Sequence, residues 1–310
     1  MPMKWQKRGI VFSPDGSRPW AKSHAMIPTP VLTSTGQLRV YITTCDADGI
    51  GRPGFVELDP QNPTKVLRIS ERPLLDVGSP GTFDENGVLA CSVVEVSKER
   101  HILYYAGFEL GTKIRYRLLT GAAVSGDGGE TFKKARTTPV LERSPSELYF
   151  RCGPFAVWQD GRMRMWYIAG SEWTDVKGKA MPVYDIRYLE SADGLDWSGT
   201  GTPVLPIQKP DEHGFGRPWV IQRGPVDYQM FFSVRKRSVE AYRLAYAESK
   251  DGLTWSRMDD NLNLGVSPDG FDSRAIMYSA IITVEGRTYC FYNGNDFGRD
   301  GFAVAELRSV

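Results

Sequence analysis

Histidine and cysteine are scarce in this chain, with three and four residues among 310. Cys45, Cys91, Cys152 and Cys290 stand far apart with no Cys-x-x-Cys spacing, and the histidines are scattered. That pattern offers no metal-ligand motif, so no metal is expected and the thiols read as free, buried side chains. Charge of either sign in excess is missing too: 38 basic residues face 37 acidic ones, with no block of like charges. Nothing therefore argues for nucleic acid or a membrane surface as partner. No apolar run approaches the roughly 20 residues of a membrane span, and the start MPMKWQKRG lacks the apolar core of a signal peptide. A cytoplasmic location is the expectation. Long helices and low-complexity stretches are also missing, because 32 glycines and 20 prolines punctuate the chain throughout.

What the chain does have is a repeat. Ser191 to Leu205 reads SADGLDWSGTGTPVL; Ser249 to Trp255 reads SKDGLTW; Ser125 to Phe132 reads SGDGGETF and is followed by Thr138-Pro139-Val140-Leu141, the counterpart of Thr202-Pro203-Val204-Leu205. Each copy follows an alternating apolar run such as Arg243-Leu244-Ala245-Tyr246-Ala247-Glu248, so it marks a hairpin between two strands. Asp-Gly supplies the positive-φ turn, and the aromatic residue after it begins the outgoing strand.

Spacing converts the repeat into an architecture. Phe132 and Trp197 are 65 residues apart, Trp197 and Trp255 58. With longer loops allowed, that suits propeller blades of roughly 40 to 50 residues, each a four-stranded antiparallel sheet in a radially closed ring. Trp5 to Phe12 resembles an outgoing strand with nothing before it to complete a blade, so it is expected to be the outer strand of the last one. Blade one then spans about Ser23 to Leu75 and blade two Gly81 to Leu141, with inner strands at Gly153–Trp158, Pro218–Gln222 and Ala275–Val284 in the remaining three. Residues 1–310 are thus expected to form a single all-β, five-bladed domain.

In such a ring the starts of the inner strands and the loops between second and third strands converge on one funnel. The starts offer Ser23 and His24; Asp84 and Glu85; Tyr149 and Arg151; Glu212, His213 and Arg217; Asp272 and Arg274. The loops offer Asp46 and Asp48; Glu109; Glu172, Trp173 and Asp175; Arg235, Lys236 and Arg237; Asn293, Asn295 and Asp296. Asp127, Asp193 and Asp251 of the repeated turns are read as caps of their own turns, and Glu190 and Glu248 as structural partners of neighbouring strands. Asp84 has two readings, a turn cap or a carboxylate where the funnel narrows. Glu172 beside Trp173 is either an exposed loop acid or an acid next to an indole on which a sugar ring stacks. Arg151, Arg217 and Arg274 stand at corresponding starts of three successive inner strands, and three guanidinium groups aimed at one axis imply a bound carboxylate or phosphate.

The repeated S-x-D-G-x-x-W turn, the closing strand and the aromatic second strands Met165-Trp166-Tyr167 and Cys290-Phe291-Tyr292 resemble the five-bladed propeller superfamily of arabinanases, β-xylosidases, invertases and levansucrases. Trp20-Ala21-Lys22-Ser23-His24-Ala25, Gly81-Thr82-Phe83-Asp84, Gly216-Arg217-Pro218, Asp272-Ser273 and Tyr292-Asn293-Gly294-Asn295 resemble a glycosidase-like bacterial branch of it linked to surface-polysaccharide synthesis. The resemblance implies three carboxylates on blades one, two and three. Asp84 and Glu172 match two of them, but blade one begins Ser23-His24-Ala25-Met26 with no acid, which leaves Asp272, Asp46 or His24 to supply the missing group. The SGDGGETF turn is also similar to the Asp-box of sialidases, whose ring needs six blades where this chain has residues for five.

The expected function is a carbohydrate-active enzyme, glycoside hydrolase-like or performing glycosyl transfer or phosphorolysis, on an anionic or nucleotide-linked sugar. Asp84, Glu172 and Asp272 are the expected catalytic groups; His24, Asp46, Arg151, Trp173, Arg217, Arg235, Arg274 and Asn295 are the expected substrate contacts. No cofactor is demanded. The rival reading is a non-catalytic glycan-binding propeller.

Overall fold

In the computed structural model, residues 2–239 and 241–308 are described. Twenty strands dominate, and the chain is all-β. Among the described residues the only helical pieces are α1 (Asp259–Leu262) and a three-residue 3-10 turn (Asn295–Phe297), so the expectation of no helix needs only that small correction. Among the described residues no helix is long and apolar enough to cross a membrane.

After β1 (Trp5–Phe12) the strands follow in antiparallel runs. The first is β2 (Ser23–Leu32), β3 (Leu38–Cys45), β4 (Gly51–Asp59) and β5 (Asn62–Ile69). Next come β6 (Val88–Ser97), β7 (Arg100–Leu110), β8 (Tyr116–Ser125) and β9 (Lys133–Lys134), then β10 (Phe150–Gln159), β11 (Arg162–Val176), β12 (Lys179–Ser191) and β13 (Thr202–Leu205). A further run holds β14 (Glu212–Gly224), β15 (Asp227–Lys236), β16 (Ala241–Ser249) and β17 (Trp255–Arg257). The last, β18 (Met277–Val284), β19 (Arg287–Asn293) and β20 (Phe302–Leu307), is completed by β1, which pairs antiparallel with β20 from Trp5 opposite Leu307 to Phe12 opposite Phe302. Short parallel contacts, Phe150 and Arg151 against Leu118 and Leu119 and Tyr184 against Gly214, merge the three middle runs into one twelve-stranded sheet.

Burial follows strand position. All eight residues of β3 are buried, as befits a strand covered on both faces, whereas β1 alternates between exposed and partly covered residues as an edge strand does.

The repeated turns connect the third and fourth strands of a run and dock on the preceding run. Asp193 Oδ1 accepts the amides of Leu195 and Asp196 at 2.8 and 2.9 Å, and Asp251 Oδ1 accepts those of Leu253 and Thr254 at 2.8 and 2.7 Å. Gly194 and Gly252 stand at φ 77° and 75°, a conformation glycine adopts without a Cβ penalty. The carbonyls of these glycines then face the preceding run: Tyr104 on β7 donates to Gly194 at 2.7 Å, and Trp166 on β11 donates to Gly252 at 2.8 Å. Tyr41 on β3 donates to Gly129 of the third copy in the same way. Each Asp-Gly turn is thus both a hairpin and a dock for its neighbour.

A pH dependence follows. Hydrogen bonds from Thr254 and Leu253 hold Asp251 down to about 2, and at Asp127 burial is outweighed by bonds from Thr131 and Ser125, again to about 2. Carboxylates held below their ordinary 3.8 contribute stability that is in place above that value and is lost as pH falls toward 2. The thermal midpoint should be level near pH 5 and fall between about pH 4 and pH 2, with a shallower fall in Asp251→Asn, as followed by circular dichroism.

Every innermost strand, β2, β6, β10, β14 and β18, carries a register shift against its partner, between Met26 and Thr29, Ala90 and Ser92, Cys152 and Phe155, Gly216 and Trp219, and Met277 and Ala280. One residue inside each bulge, Ile27, Cys91, Gly153, Arg217 or Tyr278, lines a shared cavity. Ile27, Gly153 and Tyr278 have φ of 55°, 59° and 58°. For the β-branched Ile27 and the bulky Tyr278 that is a costly conformation, the kind that persists where surrounding structure enforces it. Bulges bend strands and re-aim side chains, and here they turn one residue of each inner strand toward a common centre.

Candidate functional site

The cavity at that centre encloses about 540 Å³. Its wall is aromatic and basic: Phe108, Tyr116, Phe150, Tyr184, Tyr242 and Tyr278 supply rings, and Arg115, Arg217, Arg235, Lys179 and His213 supply nitrogen groups. Among the described residues no Asp or Glu lines it.

Strand register explains how the far wall assembles. Arg235 on β15 stands opposite Gly214 of β14 on one side and Tyr242 of β16 on the other, while Gly214 also faces Tyr184 of β12. Glycine is required at 214, since a Cβ there would lie 2.5 Å from the Tyr184 ring. The hydroxyls of Tyr184 and Tyr242 hydrogen-bond each other. The Arg235 guanidinium lies 4.8 Å from the Tyr242 ring centre and 5.6 Å from that of Phe297, and has no carboxylate partner among the described residues. Burial opposes its charge, but the phenols of Tyr242, Tyr184, Tyr116 and Tyr278 outweigh that and its pKa goes up, so the group stays cationic. Burial pushes the Tyr184 and Tyr278 phenols well up, keeping both protonated.

Arg217 closes the other end. It is 2% exposed and lies over the Trp219 ring at 4.8 Å. Its guanidinium donates to the carbonyls of Pro28, Cys91 and Tyr278 at 3.0, 3.1 and 3.4 Å and to Thr29 Oγ1 at 2.8 Å. One side chain from β14 therefore ties together β2, β6 and β18 across the centre. All its partners are neutral, and burial presses its pKa down to about 10.

Of the side chains expected at the site, Arg217 and Arg235 line this cavity; the three expected catalytic carboxylates do not meet in it. Asp84 is buried beside a separate groove of about 490 Å³, where it accepts from Lys134 at 2.6 Å, Tyr105 at 3.0 Å and Thr82 at 3.0 Å. Asp272 is equally buried and accepts from Lys7 at 2.6 Å and Tyr292 at 3.1 Å. The two are the same device. Each acid precedes an inner strand, takes a tyrosine hydroxyl from the second strand of its run, and pairs with a lysine on the outermost one, β9 or β1. Glu147 and Tyr167, with their oxygens 2.7 Å apart, repeat the motif before β10, and Glu212 pairs with Arg257 of β17 at 2.8 Å. These acids latch the strands of each run to one another; the latch is why Asp84 and Asp272 face away from the centre.

Glu172 is exposed on β11, and with Trp173 it lines a third, open groove of about 410 Å³. Trp173 packs its ring against Tyr116 and Phe150 from behind the cavity wall. Arg151 pairs with buried Glu147 at 3.0 Å, and Arg274, 69% exposed, pairs with Asp296 at 2.7 Å, so the expected arginine trio does not share one anion. Asp46 accepts the amides of Asp48 and Ile50 at 2.9 Å and pairs with Arg52 at 2.6 Å, a turn cap. Asn295 accepts the amides of Arg274 and Ala275 at 2.8 and 2.9 Å and braces its loop. His24, at φ 61°, has Nδ1 2.8 Å from Ser23 Oγ and a pKa lowered by burial and by Arg299; it precedes the cavity-lining Met26 without lining the cavity itself.

The latches make a prediction. Asp84→Asn and Asp272→Asn should each lower stability by about 1–3 kcal/mol, since each removes the charge from a buried, hydrogen-bonded group. Ligand affinity at the cavity should stay within a factor of about two, below 0.5 kcal/mol. Chemical denaturation and titration on the same samples separate the two effects.

No family model matches the chain. It is 32% identical to the uncharacterized protein Rv1502 of Mycobacterium tuberculosis strain H37Rv over 310 residues, covering 99% of this chain and all of that one. The same identity and coverage hold for the uncharacterized protein MT1551 of strain CDC 1551. Among solved structures, one glycoside hydrolase superposes with a TM-score of 0.74 at 18% identity, over all of this chain and 93% of that one. A glycosyl hydrolase from Bacteroides ovatus gives 0.70 at 14% identity over 98% and 94%. A thermostable family-43 glycoside hydrolase gives 0.66 at 16% over 96% and 92%. At these identities the likeness establishes the fold, which is that of glycoside hydrolases.

Proposed function

The chain belongs to one family with those two mycobacterial proteins, and we propose that its strands close as a single five-bladed β-propeller whose axial cavity binds an anionic sugar, from an acidic glycan or a nucleotide-linked sugar. One observation carries the reading: a single cavity takes wall residues from all five inner strands, with cationic and aromatic side chains and no acidic one among the described residues. A cavity lined by charges of one sign attracts the opposite sign, and rings stack on the apolar faces of sugars. Arg235 is the anchor for the anion, because among the described residues its donors are not committed to a carboxylate. Arg217 adds field, though its donors already serve carbonyls.

Hydrolysis by paired carboxylates does not follow from this arrangement, since Asp84, Glu172 and Asp272 stand elsewhere. That favours recognition of the sugar as the property to test first. Calorimetric titration with a short oligogalacturonate and with a neutral oligosaccharide of equal length should show binding of the acidic probe alone, weakening as salt rises. Equal affinity for both probes would remove the anionic part of the proposal.

A further inference from the structure

His213 occupies the register shift between Glu212 and Gly214 in β14, which turns it to the cavity beside Arg235. Its Nδ1 lies 3.1 Å from the Pro182 carbonyl, an acceptor only. The ring proton therefore sits on Nδ1 and Nε2 keeps its lone pair. Burial, helped by Arg235 and Arg237 and opposed by the Pro182 carbonyl and Asp211, lowers the pKa, so the imidazole is an unprotonated base at neutral pH. Within one step of register stand a guanidinium without a carboxylate partner among the described residues, Arg235, and two hydroxyls that share a hydrogen bond, Tyr184 and Tyr242. A base, a carboxylate-binding cation and a phenolic acid in one cavity, with no carboxylate among the described residues to serve as nucleophile, suit removal of a proton next to a carboxylate better than attack at an anomeric carbon.

We propose that this cluster cleaves uronic-acid-containing glycans by β-elimination. The inference rests on the reading that the cavity binds an anionic sugar. Arg235 pairs with the uronate carboxylate and stabilises the charge that develops when the neighbouring C5–H bond breaks. The proton goes to His213 Nε2. The released electron pair forms the C4–C5 double bond as the C4–O bond breaks, and the departing oxygen takes the hydroxyl proton of Tyr242, whose own bond to Tyr184 supports the phenolate. The imidazolium proton then returns to that phenolate. No water or metal is consumed, and the new chain end is an unsaturated uronide.

The test uses the full chain with oligomers of galacturonate, mannuronate and glucuronate–N-acetylglucosamine, reading ultraviolet absorbance of the conjugated product, product mass and binding in parallel. The expected result is rising absorbance with at least one oligomer, and two products whose masses together equal the substrate's. In His213→Ala, kcat should fall about 100-fold or more while KM changes little, and Tyr242→Phe should lose a similar factor. Arg235→Ala should instead raise KM together with its loss of kcat. Unchanged melting of each variant keeps a folding defect out of the comparison. Products heavier by one water, or binding without turnover across the three oligomers, would overturn elimination and leave the binding proposal standing. No binding of any of the three would reject both.

Discussion

Arg217→Ala is expected to lower the thermal midpoint by on the order of 10 °C, corresponding to about 3–5 kcal/mol, the largest effect expected of any single substitution. The side chain is a buried cation whose donors reach three carbonyls and one hydroxyl on β2, β6 and β18. Removing it takes the guanidinium donors away from those acceptors at the centre of the molecule, and each buried group left unsatisfied costs about 1–3 kcal/mol. Arg217→Lys should recover only part of the loss, since one ammonium cannot span acceptors that the planar fork reaches from opposite edges. Scanning calorimetry of the two variants checks the order: wild type highest, lysine between, alanine lowest. A loss below about 1 kcal/mol in the alanine variant would mean that Arg217 does not tie the inner strands together.

The second large effect concerns affinity. Arg235→Ala should weaken binding of a short oligogalacturonate by about 10- to 100-fold, the value of one charge-assisted contact of about 1.5–3 kcal/mol in a partly desolvated site. Stability should change little, because Arg235 makes ring contacts and no ion pair among the described residues. Arg235→Lys keeps the charge and loses the flat guanidinium that lies beside Tyr242 and Phe297, so an intermediate affinity is expected. The logarithm of the affinity should fall less steeply with salt in the alanine variant than in wild type. The contrast matters: Arg217 and Arg235 line the same cavity, yet one should register in stability and the other in binding.

Much of the fold could be read from local signals. The Asp-Gly turns are short, chemically specific and repeated, and the aromatic second strands Met165-Trp166-Tyr167 and Cys290-Phe291-Tyr292 lie in β11 and β19. The orphan apolar stretch at Trp5 to Phe12 also points to its distant partner, since an incomplete unit at one end needs the other end to finish it. What could not be read was the direction of individual side chains at the inner strands. Arg151, Arg217 and Arg274 occupy similar places in the repeat, but only Arg217 falls inside a bulge; Arg151 stands two residues before the bulge residue Gly153 and Arg274 four before Tyr278. A shift of two to four residues along the strand decides whether a guanidinium crosses the centre, pairs within its own run or reaches solvent.

The latch acids pass for catalytic ones in the sequence for a related reason. Asp84 and its partner Lys134 lie 50 residues apart, and Asp272 meets Lys7 only because the chain ends pair. A signal existed: Tyr105, Tyr167 and Tyr292 recur in second strands, each serving the acid that precedes its run. The cavity tyrosines left a fainter one. Tyr184, Tyr242 and Tyr278 read as ordinary strand aromatics, and attention to charged groups passes over a wall whose polarity lies in hydroxyl tips.

The measurement that bears most directly on the site is a crystal structure of the protein soaked with a short oligogalacturonate. Density in the central cavity, with a carboxylate about 2.7–3.2 Å from the Arg235 guanidinium and a sugar face against the tyrosine wall, is the predicted result. Density confined to the grooves beside Asp84 or Glu172, with the cavity filled by solvent, would contradict it.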